Sequence, residues 1–112
     1  MKKGINYGTT TLVYMMASQR NGTLYIGVTS NLIKRIWEHK TNVVEGFTKK
    51  YDIHTLVWYE IHETIGSAYR EHCGYGTSIQ KEKTLKKWRR KWKIALIESF
   101  NPDWQDLYEA II

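Results

Sequence analysis

Thr11-Leu-Val-Tyr-Met-Met-Ala-Ser-Gln-Arg-Asn-Gly-Thr-Leu-Tyr-Ile-Gly-Val-Thr29 holds two runs of β-branched, aromatic and other apolar residues, Thr11 to Met16 and Thr23 to Val28, with Asn21-Gly22 between them. Asn-Gly is the strongest short hairpin signal, because both residues accept the positive φ that a two-residue turn demands. The two runs are therefore expected to pair antiparallel. With Asn21 and Gly22 as the turn, Arg20 faces Thr23 and Tyr14 faces Thr29, and alternation gathers Tyr14, Tyr25, Gly27 and Thr29 on one face. That face carries two phenol rings beside a bare stretch of backbone. Glycine weakens a strand, so Gly27 marks a bulge or the close approach of another group; simple aromatic packing, with Gly27 making room for a ring, accounts for it as well.

Beyond the hairpin, Ser30-Asn31 can cap a helix running to about Lys40, with Leu32, Ile33, Ile36 and Trp37 as its buried side. Arg35 and His39 are four apart and so share a face at the edge of that stripe, where a phosphate or a carboxylate could be gripped. Asn42 to Asp52 reads as a polar loop, and Leu56-Val-Trp-Tyr-Glu-Ile61 as a third strand. His54 and His62 stand at the ends of that strand without a partner at metal-ligand spacing and read as surface histidines.

Ser78 to Lys93 contains eight of the chain's 17 Lys and Arg and a single acid, Glu82. Ile79, Leu85, Trp88, Trp92, Ala95 and Leu96 recur at helical steps, so one face is expected to enter a core while the charges stand outside. Glu82 lies three residues before Leu85 on the inward stripe. A carboxylate there must be paired or must hold a cation. An ion pair with Lys83, Lys86 or a distant arginine is the plain alternative to a ligand role.

The chain has 112 residues, of which 42% are hydrophobic and 25% charged, which fits one small domain with one modest core. Met1 to Thr10 reads as a flexible leader and 11–112 as the domain. No apolar run is long enough for a membrane span, no signal peptide is expected, and the lone Cys73 makes no internal disulfide, so a soluble cytoplasmic protein without a disulfide-linked partner is expected. The net charge of +6 makes a polyanion the first partner to consider. Nothing in the sequence gives an oligomeric state.

Taken together, these residues resemble the GIY-YIG endonuclease superfamily, specifically its small stand-alone bacterial members. Leu12-Val13-Tyr14 stands at the first tripeptide of the family and Tyr25-Ile26-Gly27 matches the second in full. Arg35 and His39 match the Arg and His of the following helix, Glu82 the metal-binding Glu of the second helix, and Asn101-Pro102-Asp103-Trp104 the Asn-containing segment near the end. The first tripeptide departs from the family pattern by Leu-Val for Gly-Ile. Residues 66–77 form an insertion in which Ser67-Ala-Tyr-Arg-Glu71 repeats the Ser-x-x-x-Glu pattern of Ser78 to Glu82. Glu71 is the rival ligand; Glu82 is chosen because Leu85, Trp88 and the basic run follow it. Gly74 and Gly76 are expected to break any helix between the two.

The resemblance implies an α+β fold, a three-stranded antiparallel sheet flanked by three helices in the order β-β-α-β-α-α, with the last two helices within 78–100 and separated or bent near Trp88. It also implies metal-dependent DNA cleavage. Phosphodiester hydrolysis needs an activated water, stabilisation of charge on the phosphoryl oxygens and a grip on the strand. In the implied site Glu82 holds Mg²⁺ or Mn²⁺, Arg35 offers a planar fork to phosphate, Tyr14 or His39 activates water, Tyr25 orients it, Gly27 leaves space, and Asn101 supports the site. Lys86, Lys87, Arg89, Arg90, Lys91 and Lys93 would hold the backbone of DNA, or of RNA. The competing reading is a basic module that binds nucleic acid without cutting it, with Tyr14 and Tyr25 as core rings and Glu82 as an ion-pair partner.

Overall fold

The computed structural model describes residues 10–42, 46–63 and 74–112. Strands β1 (Thr10–Ala17), β2 (Leu24–Thr29) and β3 (Thr55–Glu63) form one antiparallel sheet in the order β2-β1-β3. Helices α1 (Leu32–Lys40) and α2 (Phe47–Lys50) lie between β2 and β3 in the chain; α3 (Gly74–Lys87), α4 (Arg90–Phe100) and α5 (Tyr108–Ile111) follow. The architecture is the expected α+β one, with two single-turn helices, α2 and α5, added to the three foreseen. Among the described residues no helix is long and apolar enough to cross a membrane.

The hairpin register differs from the expected one by two residues. Tyr14 pairs with Gly27 and Leu12 with Thr29, and the last ladder pair is Ala17 with Leu24. The turn spans Gln19 to Gly22: the Gly22 N–H donates to the Gln19 carbonyl at 2.8 Å, and Asn21 occupies its third position at φ 59°. The Ser18 N–H and the Thr23 carbonyl close the loop outside it at 3.0 Å. Asn21 thus supplies the positive φ as anticipated, but within a longer loop. A shift of two preserves the face of every side chain, so Tyr14 and Tyr25 still share one.

The two faces of the sheet carry separate apolar clusters. Val13, Met15 and Ala17 face α3 and α4, packing with Leu85, Ile97 and Trp104, whereas Leu12, Tyr14 and Met16 face α1, packing with Leu32, Ile36, Ile53 and Leu56. A bulge makes β3 serve both. Met15 pairs with Trp58 but Met16 with Leu56, which leaves Val57 as the extra residue and turns it to the α3/α4 face beside Trp58.

Three helical expectations change. In α1 the buried positions are Leu32, Ile36 and His39, while Ile33 and Trp37 are 45% and 51% exposed. The inward stripe follows the 32, 36, 39 spacing and ends on a histidine, not on the neighbouring apolar stripe. Trp92 is also 51% exposed and Ala95 is exposed, because α3 stops at Lys87 and α4 begins afresh after Arg89, whose ψ of 148° is extended. The helical phase is reset there, and Ile97 takes the core position. Finally, Gly74 begins α3 and Gly76 lies in its first turn, where backbone N–H groups have no intrahelical acceptor to lose. Residues 66–73 of the insertion, Glu71 among them, lie outside the described residues.

Candidate active site

Strand β1 delivers Tyr14 to the α1 face, and pairing with β2 places its ring over Gly27. A Cβ on Gly27 would lie 2.5 Å from Tyr14 Oη and 2.6 Å from its Cζ, distances no real side chain keeps. The missing side chain is what lets the tyrosine lie flat against the sheet and reach across it. Tyr14 is 1% exposed, and its Oη lies 3.0 Å from His39 Nε2, a residue only 2% exposed. Tyr25 completes a ring cluster, 6.2 Å from Tyr14 and 5.3 Å edge-on to His39, measured between centroids.

His39 is brought inward by α1, whose N-cap Asn31 accepts from the Lys34 N–H at 3.2 Å. Its second nitrogen, Nδ1, lies 2.9 Å from Thr48 Oγ1, a buried hydroxyl on α2. Burial and the nearby Arg35 charge hold the His39 pKa below the ordinary histidine value, so the neutral ring is favoured. In the arrangement that satisfies the chain of contacts, Nδ1–H donates to Thr48 and Nε2 accepts from Tyr14. Burial, followed by the charge of Tyr25, raises the Tyr14 pKa far above that of a free phenol, against the opposing pull of Arg35. The phenol is therefore protonated, and its hydroxyl meets both the neutral His39 ring and the Tyr25 hydroxyl.

Arg35 lies one helical turn before His39 and is partly exposed, with Nη1 3.6 Å from Glu38 Oε1. Its charge acts on both Tyr14 and His39, lowering the pKa of each. Glu82, on α3, is also near enough to raise the Tyr14 pKa. Its carboxylate, 21% exposed, lies 3.2 Å from Lys86 Nζ one turn on. The ion pair weighed as the plain alternative is thus present. It is a half-solvated pair of the kind that contributes little to stability and is easily exchanged for another cation.

No group of three or more His, Cys, Asp or Glu side chains clusters among the described residues. A fully protein-built metal cage is therefore absent from them, and a cation held here would have one carboxylate, with water and substrate oxygens as its other ligands. Mg²⁺ is held in that manner, so a single Glu82 carboxylate fits this ion.

Asn101 stands apart from the cluster. Its Nδ2 donates to the Val57 carbonyl at 3.2 Å and the Gln105 carbonyl at 2.8 Å, and its Oδ1 accepts from the Gln105 N–H at 3.0 Å. It occupies the C-cap of α4 and satisfies the carbonyl of the bulged residue, so it supports the strand and the turn that buries Trp104. His54 and His62 are half-buried rather than free on the surface: His54 contacts Asn42 and Asp52, and His62 contacts Glu60.

The basic run is not uniform. Arg90 Nη2 donates to the carbonyls of Asn21 and Gly22, at 2.6 and 2.5 Å, and so ties the start of α4 to the hairpin loop. Lys86 meets Glu82, Lys93 Nζ reaches the Lys86 carbonyl at 3.4 Å, and Arg89 lies over the Trp92 ring. Lys87 and Lys91 are exposed. Two residues that sequence reasoning passed over join the site from α2: Thr48, the partner of His39, and Phe47, whose ring is 6.2 Å from Tyr25. Four residues make one helical turn, which leaves no periodic signal to read.

Fold and cluster together define a small α+β domain with a buried, hydrogen-bonded tyrosine–histidine pair on one face of a three-stranded sheet, with Arg35, Glu38 and Glu82 acting on it by charge. Residues 10–95 match the GIY-YIG catalytic domain, and the chain belongs to that family. Membership places it among nucleases, with nucleic acid as the class of substrate. No curated protein and no solved structure matches the chain.

Proposed function

We propose that the protein is a metal-dependent DNA endonuclease that hydrolyses phosphodiester bonds in a structure-directed or weakly sequence-specific way, serving DNA repair, recombination or processing. The observation that carries this reading is the buried contact between Tyr14 Oη and His39 Nε2 over Gly27. A core tyrosine would need only one partner for its hydroxyl, whereas this one stands between the Tyr25 hydroxyl and a neutral imidazole that Thr48 holds from its other side.

In the mechanism, Tyr14 Oη receives the proton of the attacking water as its own proton passes to His39 Nε2, and Thr48 holds the ring in the tautomer that can accept it. The water oxygen bonds to phosphorus and the bond to the leaving strand oxygen breaks. Arg35 directs two N–H donors at the phosphoryl oxygens as their charge rises, which a lysine point charge cannot do. Tyr25 fixes the position of the phosphate or the water. Mg²⁺, or Mn²⁺ in its place, would be held by Glu82 and would supply Lewis-acid relief of charge on the phosphate and leaving oxygen.

The test is nicking of supercoiled plasmid with and without Mg²⁺. Wild type is expected to nick only with the ion, and Glu82→Ala and Tyr14→Phe are expected to lose ~10²-fold or more in rate while remaining folded by circular dichroism. Full activity in Tyr14→Phe would return that ring to the core. The ion pair of Glu82 with Lys86 favours a second reading, a non-catalytic basic nucleic-acid-binding module on the same scaffold. Wild type inert toward every DNA substrate, together with undiminished DNA binding, would establish it.

A further inference from the structure

A cavity of about 280 Å³ opens at the β2 edge of the sheet, lined by Leu24, Tyr25, Ile26, Phe47, Lys86 and Lys93. Its composition is unusual for a surface that only grips phosphates. Four apolar or aromatic side chains form the walls and two lysines form the rim. Phe47 is 46% exposed, and Tyr51 beside it, at 4.7 Å between ring centroids, is 44% exposed with Lys50 Nζ 5.5 Å from its ring. A solvated loop gains nothing from two half-bare rings, and α2 is a single turn whose buried member, Thr48, already ties it to His39.

Two of the lining residues belong to the site described above. Tyr25 contacts His39 edge-on, and Lys86 holds Glu82. The cavity is therefore the immediate neighbour of the scissile position, within reach of the nucleotide next to the phosphate being cut. An aromatic wall with cationic rims is the chemistry that takes a nucleobase by its π-face while neutralising the phosphates on either side. A base inside an intact duplex cannot enter it, since both its faces are already stacked.

We infer that this cavity is a stacking site for one unpaired nucleobase adjoining the scissile phosphate, and that the enzyme accordingly selects DNA in which that nucleotide is extrahelical or single-stranded. The inference rests on the endonuclease reading for the word scissile, but the base site itself does not depend on cleavage. Stacking is indifferent to which base is present, so the selection is for structure and not for sequence.

The experiment is binding in the presence of EDTA, so that no cleavage enters it. Two oligonucleotide duplexes are compared, identical except that one carries a single extrahelical 2-aminopurine and the other an abasic residue at the same place. Wild type is expected to bind the first about tenfold more tightly, consistent with the worth of one stacked base, and to quench its fluorescence. In Phe47→Ala the ratio should fall to about one, and Phe47→Tyr, which restores a ring, should restore it. Phe47 is half-exposed, and because each protein is scored by its own ratio, a general loss of affinity in a damaged variant does not mimic the result. Equal affinity of wild type for the two duplexes would overturn the inference, as would a ratio unchanged in Phe47→Ala. So would a wild-type dimer in light scattering that Phe47→Ala abolishes, which would give the patch to a second copy of the chain. Plasmid nicking by wild type without any base-dependent ratio removes the stacking site and leaves the endonuclease; the ratio without nicking does the reverse.

Discussion

A methyl group on Gly27 would have to displace the Tyr14 ring, and the ring has little freedom because it is buried and its hydroxyl is held by His39. Overpacking of this kind costs ~1–3 kcal/mol, against a gain of ~0.5–1 kcal/mol from replacing glycine within a strand. Gly27→Ala is therefore expected to be destabilising by ~1–2 kcal/mol in urea unfolding, and to become neutral or stabilising when Tyr14 is also changed to Ala. Equal cost in both backgrounds would show that the glycine serves the backbone and not the ring. The residue-scale part of the site was largely readable, because face membership has a period of two and survives a register error of two. Tyr14, Tyr25 and Gly27 shared a face under the expected pairing and do so under the observed one. What could not be read was the state of His39. Its pKa lies below the value in an unfolded chain, chiefly through burial. As pH falls below the ~6.5 of a free histidine, the unfolded chain takes up the proton before the folded one does. The contribution of His39 is thus complete above ~6.5 and is lost as pH falls toward the folded value. Thermal melts between about pH 7 and 5 should show a steeper loss in wild type than in His39→Gln, and the cleavage rate should have its acid midpoint below that of a free histidine.

At the scale of elements, the short helix α2 changes most between sequence and structure. Asn42 to Asp52 reads as a polar loop, and among its described residues Thr48 alone is buried, too little for a periodic signal. Thr48→Val keeps the shape of that side chain and removes the hydroxyl. His39 Nδ1 is then left buried without its partner, at a cost of ~1–3 kcal/mol. The expected signature is a lower urea midpoint together with a shifted acid limb of the rate, since the ring loses the bond that sets its tautomer; Thr48→Ser should restore both. An unchanged pH profile in Thr48→Val would reduce Thr48 to packing. The longer helices were read close to their positions, except that α3 begins at Gly74 and not within 78–100, and wrongly in phase. A continuous period from Ile79 to Leu96 assigns Trp92 to the core, but the chain leaves helical geometry at Arg89 and the period restarts. No single residue in Lys-Lys-Trp-Arg-Arg is a helix breaker, so propensity gave no warning. The restart is instead stabilised from a distance, by Arg90 on the carbonyls of the hairpin loop.

Over the whole molecule, the net charge of +6 is distributed so that cations of different duty lie side by side. Lys86 and Arg90 are engaged within the fold and Arg89 leans on Trp92, whereas Lys87 and Lys91 are exposed and have no ion-pair or hydrogen-bond partner among the described residues. Composition alone forecast a polyanion partner but not this division, because the partners of Lys86 and Arg90 become neighbours only through folding. Free lysines contribute to DNA binding by releasing counterions, at ~0.9 in the slope of log affinity against log salt for each phosphate contacted. Changing Lys87 and Lys91 together to Ala should therefore lower that slope by nearly two, with the same loss on two duplexes of unrelated sequence, since phosphate contacts carry no base information. Glu82→Ala is the informative opposite. It removes an anion and frees Lys86, so metal-free binding should be no weaker than in wild type while Mg²⁺-dependent nicking disappears. Filter binding in EDTA across a salt series reads both at once. A slope unchanged by loss of the two lysines would make the strip a merely solvated face, and weaker binding by Glu82→Ala would mean that its carboxylate orders the interface instead of holding an ion.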